Sequence, residues 1–118
     1  MQSLDPKFPN SKRPARTGAL IVVGRAEDLP HGKGATVELD DGQELALYNI
    51  EGQFYAVENF CPHRGAPLAE DNLAGHTVEC DWHGWRFDLR TGACFSRAGY
   101  DIETYEVLIE DGLIKIRV

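Results

Sequence analysis

The 118 residues are enough for one domain with a substantial core and too few for two. A formal net charge of −7 with 26% charged residues disfavours nucleic acid and anionic lipid as partners. No apolar run is long enough to cross a bilayer and the N-terminus lacks a secretory stretch, so a soluble cytoplasmic protein is expected, without membrane or nucleic-acid contacts.

The charge is unevenly spread. Residues 1–17 carry Lys7, Lys12, Arg13 and Arg16 against Asp5, a sum of +3, which leaves −10 on residues 18–118. That first segment also holds Pro6, Pro9 and Pro14 and little apolar surface, which predicts a flexible basic tail ahead of a single domain over 18–118. The acidic body suits docking to a basic patch on a protein partner, and equally suits simple solubility.

From Gly18 onward short β-type segments alternate with turn signals. Ala19–Arg25, Ala35–Leu39, Glu44–Ile50 and Phe54–Asn59 form a first group, punctuated by Asp41-Gly42, a strong hairpin signal, and by Glu51-Gly52. His76–Cys80, Trp85–Leu89, Thr104–Ile109 and Leu113–Val118 form a second, with turns at Thr91-Gly92 and Asp111-Gly112. Ala26–Leu29 reads as a short helical turn, and no segment sustains a helical period. Short strands at near-regular spacing predict an all-β antiparallel sandwich or barrel. Between the groups, Cys61–Gly75 is dense in Pro, Gly and His and reads as a functional loop.

Three cysteines argue against a disulfide scaffold, and two of them fall in register with histidines. The half-motifs are Cys61-Pro62-His63-Arg64-Gly65 and Cys80-Asp81-Trp82-His83-Gly84-Trp85, each offering one thiolate and one imidazole. Two Cys and two His also make a closed tetrahedral zinc site, so a zinc-stabilised module without redox activity is a rival reading. The C-x-H and C-x-x-H spacings differ from the usual zinc pattern, and a large β core does not need a metal to fold. Cys94 reads as a small hydrophobe, and His31 and His76 as surface residues.

The two half-motifs resemble the cluster-binding loops of Rieske proteins, and the likeness extends through Pro67, Gly84 and Trp85–Gly92 to cover residues 18–118. The resemblance implies a Rieske-like fold with a small cluster-binding subdomain formed by two loops, over about residues 60–95. It implies one [2Fe–2S] cluster, with Cys61 and Cys80 on one iron and His63 and His83 on the other. Two thiolates and two neutral imidazoles leave the oxidised site uncharged, so it accepts an electron more readily than an all-cysteine cluster. The respiratory type adds a bracing disulfide, which Ala66 and Trp82 cannot form, and hydroxyl donors where Trp85 and Phe87 stand here. Fewer donors predict a potential toward the lower end of roughly −150 to +300 mV. The family's proline-bearing third loop has Ser96–Tyr100 as its counterpart, without proline.

The expected function is a ferredoxin, an electron carrier and not itself an enzyme. It would pass single electrons from an NAD(P)H-dependent reductase to a terminal oxygenase. The small subunit of a larger oxidoreductase, such as a nitrite-reductase-like complex, is the alternative.

Overall fold

The computed structural model describes residues 16–59, 72–80 and 84–118. Among these described residues, ten strands fall into three antiparallel sheets. The first contains β1 (Leu20–Arg25), β10 (Leu113–Arg117) and β9 (Val107–Glu110), in that order. The second runs β2 (Gly34–Glu38), β3 (Glu44–Ile50), β4 (Gln53–Glu58) and β8 (Thr104–Tyr105). The third is small: β5 (Asn72–Ala74), β6 (Thr77–Glu79) and β7 (Arg86–Asp88). A 3₁₀ turn at Ala26–Asp28 is the helical turn expected after β1.

The second sheet lies between two cores, and β3 shows why. Its residues 45–50 are all buried, and alternate side chains point to opposite faces. Ala46, Tyr48 and Ile50 pack with Val57, Val78, Cys80, Phe87, Leu89 and Ile102 beneath the small sheet. Leu45 and Leu47 point the other way, packing with Leu29, Ala56, Tyr105, Ile114 and Ile116 against the first sheet. The register of β3 on β4 keeps this alternation, since Ala46 faces Val57 and Leu47 faces Ala56. A strand covered on both sides reads as a nearly continuous apolar run, as Leu45–Ile50 does.

Two hairpins are set by two-residue turns. Glu51 and Gly52 have φ of 54° and 87°, and Asp111 and Gly112 have 54° and 77°, so both central residues of each turn are left-handed, as the twist of the flanking strands favours. Asp41-Gly42 sits instead in a longer connection, closed by Leu39 N–H to the Gln43 carbonyl at 2.7 Å.

Two expectations change. The segment Thr104–Ile109 is two strands, because β8 pairs with β4 while β9 pairs with β10. The chain changes sheets at Glu106, whose carbonyl and carboxylate both accept from Arg117. The last residues of the expected loop Cys61–Gly75 include β5, which pairs with β6 as Leu73 opposite Val78. At the other end, Thr17 and Gly18 N–H groups both reach the Val118 carbonyl, and Arg16 bonds Glu103 and the Thr104 carbonyl at 2.8 Å each. No described helix is long and apolar enough to cross a membrane.

Candidate metal centre

Of the four expected ligands, the structure describes Cys80; Cys61, His63 and His83 lie outside the described residues. Cys80 directly follows β6, in a hairpin whose last paired residues are Glu79 and Arg86. Its N–H donates to the Trp85 carbonyl at 2.7 Å, and its own carbonyl accepts from Gly84 N–H at 2.9 Å. Two backbone bonds therefore tie Cys80 to Gly84 and Trp85. Gly84 has φ +72°, in the left-handed region where a side chain is strained. A Cβ there would also stand 3.2 Å from Glu79 Oε2.

Cys80 is 1% exposed and belongs to the core that holds Val57, Val78 and Phe87. Val57 is in β4, the strand that leads into the first half-motif. The same apolar cluster thus joins the base of one expected loop to the hairpin that carries the other. At that base Glu58 is 2% exposed; its N–H donates to the Glu103 carbonyl and its Oε1 accepts the Glu103 N–H, each at 3.0 Å. The Asn59 amide donates to Glu44 Oε1 at 3.2 Å, so the end of β4 is held on both sides.

The surroundings separate supporting residues from bystanders. Phe87 is fully buried, as expected of a core residue. Trp85 is half-buried and meets the Tyr100 ring edge to face, with centroids 5.2 Å apart and planes at 78°. Glu79 pairs with Arg86 at 3.5 Å on the outer face of the small sheet. Cys94 packs at the margin of the core, has no disulfide, and donates its N–H to Asp101 Oδ1 at 2.9 Å. His31 is an exposed turn residue whose Nδ1 accepts from Glu51 N–H at 2.7 Å. His76 is half-buried rather than a plain surface residue, and lies edge-on to Tyr55 at 5.4 Å.

Asp88, buried at the end of β7, has its carboxyl held below the ordinary 3.8. The Arg90 side chain bonds both its oxygens, at 3.1 and 3.2 Å, which outweighs the opposing effect of burial. Among the described residues, no group of three or more His, Cys, Asp or Glu side chains could hold a metal ion elsewhere.

The sequence matches the Rieske [2Fe-2S] domain over residues 19–106. The chain belongs to the Rieske family. Its cofactor is accordingly one [2Fe–2S] cluster of the Rieske type, which separates it from the zinc modules. A donor set of two thiolates and two imidazoles fits that group, and so does a buried thiol on a clamped hairpin turn. The ferredoxin component of the p-cumate 2,3-dioxygenase system of Pseudomonas putida is 38% identical over 101 residues, which span 84% of this chain and 86% of the relative. The solved Sphingomonas yanoikuyae B1 ferredoxin superposes with a TM-score of 0.77 at 31% identity, covering 85% of this Rieske chain and 99% of its own. A chain from the complex of reduced oxygenase and oxidised ferredoxin in carbazole 1,9a-dioxygenase gives 0.77 at 29% identity, over 86% of this chain and 94% of that one.

Glu58 and Asp101 carry no motif in the sequence, and Tyr100 stands in the expected counterpart of the third loop with no role of its own to be read there. The one available signal was for Tyr100, a lone aromatic closing the small and polar run Ser96–Gly99.

Proposed function

We propose that this Rieske protein is a ferredoxin that carries single electrons from an NAD(P)H-dependent reductase to a terminal oxygenase in the cytoplasm. Cys61 and Cys80 are its thiolate ligands and His63 and His83 its imidazole ligands. Residues 18–118 are the working domain, with the cluster-binding part over about 60–95, and the tail 1–17 meets it through Arg16 and Thr17. The observation that carries this reading is the near full-length likeness to ferredoxin components of dioxygenase systems.

When bound, the cluster supplies reversible one-electron exchange, with no bond made or broken in a substrate. The chain's own residues hold and insulate it. The Cys80–Trp85 turn presents one thiolate from a buried position, where water is excluded. Both backbone groups of Cys80 are engaged within the turn, so the residue is fixed before any metal arrives. Val57, Val78 and Phe87 give it a rigid apolar floor. Each half-motif follows a strand that pairs with a neighbour on both sides, and Cys80 is thereby held in place.

The test is EPR of the dithionite-reduced protein with iron and acid-labile sulfide analysis. A rhombic signal with average g below that of all-cysteine clusters, and equimolar iron and sulfide, is expected. Replacing Cys61, His63, Cys80 or His83 by Ala should abolish the signal, whereas Cys94→Ala and His76→Ala should keep it. A full signal in His83→Ala would overturn the ligand set, and a colourless protein holding zinc would overturn the carrier.

A further inference from the structure

Among residues 95–100, Phe95, Ser96, Arg97, Ala98 and Gly99 are exposed, and Tyr100 alone turns inward. It lands on Trp85, with centroids 5.2 Å apart and planes at 78°. Trp85 is the far end of the turn that carries Cys80, since its carbonyl accepts the Cys80 N–H at 2.7 Å. Its side chain also packs against the core that contains Cys80, Val57 and Phe87.

The run that delivers Tyr100 is pinned at both ends. Phe95 N–H reaches the Arg86 carbonyl at 2.8 Å, and Ser96 Oγ accepts from Arg86 N–H at 3.0 Å. Asp101 Oδ1 accepts the Cys94 N–H at 2.9 Å, and Ile102 N–H reaches the Gly92 carbonyl at 2.8 Å. A segment this exposed, bonded at its two ends and turned inward at one aromatic ring, is built to place that ring.

We infer that Tyr100 is a positioning residue: its ring braces Trp85, and through the Trp85 carbonyl it fixes the Cys80 turn and keeps water from it. This rests on Cys80 being a cluster ligand, as proposed above. The ring carries the role and not the hydroxyl, because an edge-to-face contact depends on the aromatic quadrupole and shape. Loss of the ring frees Trp85 to move and lets water approach the thiolate side of the site. Reduction adds one negative charge to the cluster as a whole, and nearby water stabilises that charge, so the potential rises when the brace is lost.

The experiment compares the cluster-loaded wild type with Tyr100→Phe, Tyr100→Leu and Tyr100→Ala. Two quantities are read: the reduction potential from an EPR-monitored titration, and the rate of iron release to EDTA. Tyr100→Phe should match the wild type in both. Tyr100→Ala and Tyr100→Leu should lose iron roughly two- to tenfold faster, the factor an aromatic pair supports, with a higher potential. Should Tyr100→Ala fail to hold a cluster, Tyr100→Leu, which keeps bulk without a ring, decides. Wild-type behaviour in Tyr100→Leu, or a Tyr100→Phe that behaves like it, overturns the inference. A wild type without the histidine-ligated signal defeats the proposed function instead.

Discussion

At the scale of single residues, the Asp88–Arg90 pair shows how a buried charge is made tolerable. Asp88 Oδ1 also accepts the Arg90 N–H at 2.8 Å, so one carboxylate shapes the turn and holds the guanidinium. Its folded-state pKa lies below the ordinary 3.8, so its stabilising contribution is complete above the unfolded value and disappears as pH falls through the folded one. Arg90→Gln removes the main cause of the depression while leaving the backbone bond. The variant should therefore have a lower urea midpoint than the wild type near pH 7, and the gap should narrow as pH falls below the ordinary 3.8 and through the lowered folded-state value. Loss of the cluster in acid affects both proteins alike, so the difference isolates the pair. A gap that is constant from neutral pH to acid would show that Asp88 is not the group responsible.

The four proposed ligand positions were legible in the sequence as candidates because a metal site must repeat its donor types at fixed spacing, and Cys61, His63, Cys80 and His83 do so. Tyr100 was not, because a brace needs only one ring in the right place and leaves no pattern. Asp88 was likewise silent, since its value comes from Arg90 folding back over a turn.

At the scale of elements, the strand pattern was legible wherever turns were strong. Glu51-Gly52 and Asp111-Gly112 each mark a tight hairpin because only a glycine-bearing pair takes two left-handed residues at little cost. The change of sheet at Glu106 escaped, because β-forming residues flank it on both sides and nothing in the pattern says which neighbour each will pair with. β5 escaped because three residues are too few to show a period.

The turn after β7 is the element under the tightest constraint. Gly92 has φ +82°, and a Cβ on it would stand 2.0 Å from the Ile102 carbonyl oxygen, a backbone atom that cannot swing away. Gly92→Ala must therefore push apart the Asp88–Ala93 turn and the segment entering β8. The expected cost is about 2–5 kcal/mol from strain and overpacking together, or a fall in Tm of roughly 10 °C or more. Gly99 is the control: its φ is +88° but nothing lies within 4 Å of the added carbon. Gly99→Ala should cost about 1–2 kcal/mol, from backbone conformation alone. Equal melting temperatures for the two variants would mean that the Gly92 contact relaxes freely.

At the scale of the whole molecule, the acidic charge is not distributed over the surface at random. Around the hairpin that carries Cys80, described residues 72–101 balance Glu79, Asp88 and Asp101 against Arg86, Arg90 and Arg97. The excess sits on the two larger sheets and their turns, where Glu38, Asp40, Asp41, Glu51, Glu106, Glu110 and Asp111 are all exposed. The net −7 acts at long range. Such a molecule is steered toward a basic partner before it touches it, and the contact itself is closed by other forces. Steering is screened as the Debye length shrinks from about 10 Å at 0.1 M salt to about 3 Å at 1 M. The second-order rate of reduction by the reductase should then fall as salt rises, while the reduction potential and the limiting rate at saturation change little. The double change Glu106→Gln and Glu110→Gln, far from the hairpin in sequence and in sheet, should flatten that salt dependence without altering the EPR signal. A rate that rises with salt would mean that the partner's docking face is itself acidic, and that the charge on the outer sheets serves solubility rather than encounter.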